Sequence, residues 1–346
     1  MCTDKLEHAS KLIVGQGSTD SPVEINVGRE TRTVTFSANG KHILSGGNEE
    51  VQVWRVEDGK QIATMKTNSW VLCFAVSKDG RWIAGGTNWG QVNVWDAETY
   101  EQVWSHNEGV SSIHAMDFSP DSIRLVSGTD HWKAIILDVA TCKQVQTLGH
   151  ERAVFAAKYS PQGNRIVTGT NDFVRVWDSN DGGLLVTIKV GVTTCYNSGI
   201  LWSDNHLFAL SDGSKIKQLE ASTESVISEW PVPNGDGYPC IALPQHGKFI
   251  AYASRRTLAF WDTTAHTQLN LIEHTEDICS VAISPDDQLL AIGGERSNII
   301  IRNLASITVS FARRRLVVYQ FHWLLVVYSR ASTGRATLDL GREQAA

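Results

Sequence analysis

Several things are missing from this chain, and each absence removes a class of function. There is no Gly-x-Ser-x-Gly elbow, no His-Glu-x-x-His pair and no Gly-rich phosphate loop. The common hydrolase, metalloprotease and nucleotide-binding signatures are therefore absent. Its six cysteines include no Cys-x-x-Cys, and none stands near a histidine at a zinc spacing. Neither a disulfide framework nor a metal site is expected, and a reducing compartment fits. Met1 to Ser10 has no apolar core of the kind that directs secretion. No apolar stretch is long enough to span a bilayer. The longest, Leu316 to Tyr328, is interrupted by Gln320 and His322. With a net charge of −6, broad electrostatic binding of nucleic acid is not expected. Lysine is absent after Lys248, and acidic residues are absent from Arg296 to Leu338, which marks the C-terminal stretch as compositionally foreign.

What is present is a repeat. An apolar strand ends at Trp54, then at Trp95-Asp96, Leu137-Asp138, Trp177-Asp178, Leu219-Glu220, Trp261-Asp262 and Arg302-Asn303, at steps of 41, 42, 40, 42, 42 and 41 residues. So steady a period means stacked units, none able to bury its apolar face alone.

A second marker runs in phase. Phe36-Ser37-Ala38-Asn39-Gly40 recurs as Val76-Ser77-Lys78-Asp79-Gly80, Phe118-Ser119-Pro120-Asp121 and Tyr159-Ser160-Pro161-Gln162-Gly163. Weaker copies stand at Trp202, Leu243 and Ile283. Each copy is a strand running into a turn built from residues that preset φ or tolerate positive φ. Another strand follows, ending in small residues such as Gly46-Gly47, Gly85-Gly86 and Gly293-Gly294. A looser fourth strand, such as Gln61 to Met65, comes after the Trp position. Four antiparallel strands per unit and seven units predict an all-β chain, a seven-bladed β-propeller of four-stranded antiparallel blades.

On these motifs the chain resembles the WD-repeat β-propeller family over roughly residues 22–311. The family's Gly-His pair stands complete at Gly149-His150, with His274 at the equivalent place in the last unit. The resemblance implies a structural tetrad in the fourth unit: His150, Thr168, Asp172 and Trp177, a hydrogen-bond chain from carboxylate through imidazole and hydroxyl to indole. A catalytic triad would need an activated nucleophile and an oxyanion site beside it, and the pattern offers neither. The expected organisation is a tail over 1–21, the propeller over 22–311 and a basic, apolar tail over 312–346. Pro22 to Val27 is expected to supply the outer strand of the last blade, with Ile307 to Phe311 as its competitor.

The family resemblance implies a noncatalytic platform for a protein or peptide, carried on exposed loops held by rigid blades. Cofactors are not expected, and a cytoplasmic location is, with the nucleus as the alternative. Three other roles compete. The tail could touch a membrane surface and make this a membrane-associated regulatory module. A substrate receptor of a ubiquitin ligase is a second, although the Trp-Asp-x-Arg signature of such receptors is absent at Trp95, Trp177 and Trp261. An enzyme propeller is a distant third. The loops before the inner strands and between the second and third strands share one face. They carry Trp70, Trp89, His131, Trp132, Phe155, Phe173, Tyr196, Tyr238, Arg255, Arg256 and Arg296, of the types that dominate interfaces when desolvated.

Overall fold

The computed structural model describes residues 22–307 apart from 110, 193–198, 204–205, 212–213 and 234–238. The chain divides into two compact units, Met1–Leu304 and Ala305–Ala346. The expected tail over 312–346, and the competitor strand beyond Ile307, lie outside the described residues.

The first unit is built from antiparallel four-stranded sheets in sequence order. Thr31–Phe36, His42–Gly47, Glu50–Arg55 and Gln61–Lys66 form one. The same order repeats from Val71 to Asn107, Ile113 to Gly149, Ala156 to Ile188 and Ile200 to Pro231. The in-phase turn motif explains itself locally. Ser77 Oγ donates to Asp79 Oδ1 at 2.6 Å and accepts from the Trp82 amide at 2.8 Å, while Gly80 takes φ +74°. Ser119 with Asp121, and Ser284 with Asp286, repeat the arrangement, and each serine hydroxyl holds its carboxyl below the usual range. The turn chemistry that marks each unit in sequence is thus what closes its first hairpin.

Apolar side chains from each sheet meet those of the next, as Cys73, Ala84 and Val94 meet Ile113, Met116 and Leu125. The small residues ending each second strand permit this approach. A methyl on Gly86 would lie 2.6 Å from Cγ2 of Ile113, and one on Gly293 would lie 2.9 Å from Cγ1 of Val34. The second contact joins the end of the chain's repeats to the beginning. Val34 also donates its amide to Ser280 Oγ at 3.2 Å.

Closure is completed by the strand Val23–Asn26, which pairs antiparallel with Asn298–Asn303, placing Val23 opposite Ile301 and Ile25 opposite Ile299. The N-terminal strand therefore serves as the outer strand beside the last repeat, as its position before the first unit suggests.

Among the described residues hydrogen bonding groups the strands into six sheets where seven separate ones were expected. The repeat units read at Trp261 and Arg302 share one six-stranded sheet. Two long strands cause this, Phe249–Asp262 and Gln268–Ile283. The first pairs its early half with Cys240–Ala242 and its late half with Gln268 to Glu273. Arg255, at φ +46°, pairs with Ile278 and joins the two halves of the sheet.

The four residues expected to form a tetrad are only partly brought together. Trp177 Nε1 donates to Thr168 Oγ1 at 2.8 Å, and Thr168 Oγ1 stands 2.8 Å from His150 Nε2. His150 Nδ1 lies 3.0 Å from the Leu148 carbonyl, which can only accept. The ring is thereby fixed as the Nδ1–H tautomer, and Thr168 donates to Nε2. Burial lowers the His150 pKa to about 4, against the Leu148 carbonyl, which favours the charged ring. Asp172 is the correction. It points outward to Arg152 Nε at 3.2 Å, because the Leu148 carbonyl already fills the place on Nδ1 that a carboxylate would take.

Thr168→Val should cost about 1–3 kcal/mol in urea unfolding, whereas Asp172→Ala should cost less than about 0.5 kcal/mol because its partner is exposed. His150 is held neutral, so its contribution is present above pH 6.5 and is lost as pH falls towards 4, by up to about 3 kcal/mol. Unfolding followed across this window should show that slope, and His150→Asn should flatten it. Deleting residues 1–28 should lower the melting temperature and promote association, since Asn298–Asn303 loses its partner strand. A truncated chain that stays monomeric with unchanged melting would refute the closure.

Candidate functional site

Antiparallel pairing brings the start of each inner strand and the turn between the second and third strands to one end of the unit. Val71 is opposite Thr87, and Ile113 opposite Thr129. The candidate residues of the second, third and fourth units therefore sit on neighbouring loops of one face.

Within that set the side chains differ sharply in availability. Trp89 is 62% exposed and Trp132 is 57% exposed. His131 is exposed beside them, and a methyl on Gly109 would lie 3.9 Å from its ring. Trp70 is half-buried with the Arg32 guanidinium 5.5 Å from its ring centre. Phe173 is half-buried beneath Arg175 in the same way. Phe155 leaves the candidate face. It is buried at 8% exposure, tilted against the His114 ring at 5.0 Å, because its amide already bonds the Gly169 carbonyl and turns the ring between units. Arg255, Arg256 and Arg296 are exposed, and Arg256 pairs with Asp277 at 3.3 Å. Tyr196 and Tyr238 lie outside the described residues.

The turn before the third strand is left-handed in several units, at Glu49, Gly90, Trp132 and Ser297, and Trp132 is the bulkiest residue to occupy it. It takes φ +59° at a turn position where the preceding unit has Gly90 at +75°. A bulky residue in the left-handed region is strained, whereas glycine is not. The indole that bears this strain projects into solvent, so burial does not repay it.

Charges on the same face are largely matched. Arg175 pairs with Glu151 at 2.7 Å, Arg152 with Asp172, His114 with Asp130 at 2.6 Å, and Lys66 with Glu50 at 2.6 Å. The uncompensated feature is therefore aromatic rather than ionic. That arrangement suits a partner read by ring contacts better than a phosphate backbone.

One concavity was not foreseen from sequence. A cavity of about 480 Å³ opens at the opposite end of the first two units, lined by Asn39, His42, Asp79, Glu98 and Tyr100 among others. Tyr100 OH stands 3.4 Å from His42 Nδ1 across the two units. Its only advance signal is the turn residue Tyr100, which takes φ +59° where Gly59 and Gly182 occupy matching turns. Burial raises the Tyr100 pKa and, ahead of Arg55 and Lys41, lowers that of His42, so the pair is neutral at neutral pH. Among the described residues no cluster of three or more His, Cys, Asp or Glu side chains could hold a metal, and no helix is long and apolar enough to cross a membrane.

Comparison with known proteins agrees with this architecture. The model of the family described as nucleolar protein 10-like, N-terminal domain, matches residues 16–219, and that of the WD domain, G-beta repeat, matches residues 266–302. The human angio-associated migratory cell protein is 28% identical over 169 residues, covering 47% of this chain and 36% of that protein. The pre-rRNA-processing protein crb3/ipi3 of Schizosaccharomyces pombe is 21% identical over 313 residues, covering 80% of this chain and 65% of its own length. The chain thus spans less than two thirds of either relative. Among solved structures, that of U3-55K shares the fold at a TM-score of 0.69 and 18% identity, over 83% of this chain and 97% of its own. With more than half its length matched by one family model and its last repeat matched by another, the chain belongs to the nucleolar protein 10-like N-terminal propeller family, a WD-repeat β-propeller of four-stranded antiparallel blades.

Proposed function

We propose that this chain is a noncatalytic interaction module that takes a protein or peptide partner on the face carrying Trp89 and Trp132. The observation behind this reading is Trp132 itself, a solvent-exposed indole kept at a strained φ of +59°. Strain of this kind persists where it serves a site. Trp89, equally exposed on the neighbouring unit, supplies a second ring, and His131 lies between the two turns. Paired charges around them lower the desolvation cost of covering the face with another protein.

The family description and the processing role in the name of the fission-yeast relative favour a nuclear, nucleolar setting over the cytoplasmic one expected from composition. We read the partner as a component of a ribosome-precursor assembly. A ubiquitin-ligase receptor is disfavoured by the missing Trp-Asp-x-Arg signature. Within this reading the six-stranded sheet counts as two blades, the sixth and seventh, each of four strands once Val23–Asn26 is included, and the propeller extends over residues 22–311.

Trp132→Gly separates binding from folding, because glycine relaxes the left-handed position. Its melting temperature should stay within a few degrees of the parent. Combined with Trp89→Ala it should weaken capture of the principal nucleolar partner at least about tenfold, as expected for aromatic anchors. Quantitative affinity capture with mass spectrometry checks this. Undiminished capture by the double variant would reject the face.

A further inference from the structure

One buried carboxyl connects the turn of Trp89 to the strand that leads to the turn of Trp132. Glu108 follows the outer strand Gln102–Asn107 of the second unit and leads into the third. Its amide donates to the Gly90 carbonyl at 2.8 Å, in the turn that carries Trp89. Its side chain reaches the other way, to the Ser127 hydroxyl in the strand that runs up to the turn of Trp132. The adjoining backbone repeats the tie. Ser112 Oγ donates to the Asn88 carbonyl at 3.3 Å, and the Asp130 amide donates to the Ser112 carbonyl at 3.2 Å. Gly90 and Gly109 approach so closely that a methyl on Gly90 would overlap the Gly109 carbonyl.

The protonation state follows from counting hydrogens. Ser127 Oγ lies within hydrogen-bond reach of Glu108 Oε1 and also 3.3 Å from the Ile135 carbonyl. A hydroxyl has one proton and can donate to only one of these acceptors. Both contacts are satisfied together when Glu108 is a carboxylic acid that donates to Ser127 while Ser127 donates to Ile135. Glu108 Oε2 is buried with no hydrogen-bond partner, which suits a neutral acid and strongly disfavours a carboxylate. In the fourth unit the equivalent contact is His150 with Thr168, also a neutral group against a hydroxyl.

We propose that Glu108 acts as a neutral carboxylic acid that positions the Trp89 and Trp132 turns, and that its ionisation loosens both. The proposal rests on the reading of this face as the binding surface, but its mechanics concern the free protein. Burial raises the Glu108 pKa to about 7. The latch therefore operates within the physiological range. The titratable groups around it are the buried Cys73 thiol, pushed well up by burial, the His114–Asp130 pair, and His131 over Gly109; Lys133 stands at the edge of the turn.

The direction of the stability effect is opposite to that of His150. Since the folded pKa of Glu108 lies above its ordinary 4.5, its contribution is complete below pH 4.5 and is lost as pH rises to about 7. The test uses the full chain labelled with 5-fluorotryptophan, with the two resonances assigned by Trp89→Phe and Trp132→Phe. Between pH 5 and 9 both should move in a single one-proton transition near pH 7. The transition should survive His131→Asn and vanish in Glu108→Gln, whose resonances should hold the acid-side positions. Ser127→Ala removes the group that ties Glu108 to the strand of the Trp132 turn, so the Trp132 resonance should lose the transition while that of Trp89 keeps it, which serves as the check if the glutamine variant folds poorly. Static indoles in the parent protein, a transition that persists in Glu108→Gln, or a Trp132 transition undiminished in Ser127→Ala would each overturn the proposal. No partner is needed for these measurements, so they fail or succeed independently of capture by the face.

Discussion

The structure depends on one pairing between strands about 275 residues apart in the chain: Val23–Asn26 against Asn298–Asn303. Each repeat presents an apolar flank that only a neighbour can cover, so a linear stack would leave its first and last flanks in water. The contact of Gly293 with Val34 lets the last flank meet the first, and the N-terminal strand fixes that meeting with backbone hydrogen bonds. Placing the closing strand at the opposite end of the chain from its partner makes closure cooperative. The outer strand cannot pair correctly until every intervening unit is in place.

A consequence is that no single unit needs a perfect internal network. At the same place in three units the chain uses three different solutions. The fourth unit has His150, Thr168 and Trp177; the first has Trp54 bonded to Ser45 at 2.9 Å; the third has Glu108 with Ser127. What these three units share there is a hydrogen bond to the hydroxyl of the second strand, made by an imidazole, an indole or an acid. The last solution differs in one respect. Indole does not titrate, and His150 is held far below neutrality, but a carboxylic acid raised to about 7 can change state under ordinary conditions.

Much of the architecture was legible in the sequence because it is enforced locally. The Ser-x-Asp-Gly turn and the small residues after the second strand leave fixed marks at a fixed period, since the same hairpin and the same close approach recur in each unit. Position within a unit was less informative about partners. Asp172 stands at the spacing the family pattern demands, yet a backbone carbonyl occupies its place at His150, and backbone acceptors carry no sequence signature. Phe155 shares a loop with exposed residues but is already paired to Gly169, and one residue of register separates a buried ring from an exposed one. The fusion of the last two repeats into one sheet was hidden for a related reason. Arg255 reads as a turn, and its pairing with Ile278 is a long-range event that depends on how the neighbouring unit docks.

The two left-handed aromatic residues show how strain separates roles in such a scaffold. Tyr100 and Trp132 both occupy positions where glycine would be unstrained, and both persist. For Tyr100 an internal reason is visible, since its hydroxyl reaches His42 of the adjoining unit and closes the wall of the cavity there. Trp132 has no such contact to offset its conformation; its ring is mostly in water, and its backbone carbonyl alone is engaged, by the His150 amide at 2.8 Å. A rigid ring of blades can hold a residue in an unfavourable conformation because the turn's ends are fixed by strands on both sides. The scaffold therefore tolerates positive φ at this turn position in several units, at Glu49, Trp132 and Ser297, and Trp132 is the one of the three that places a bulky ring there.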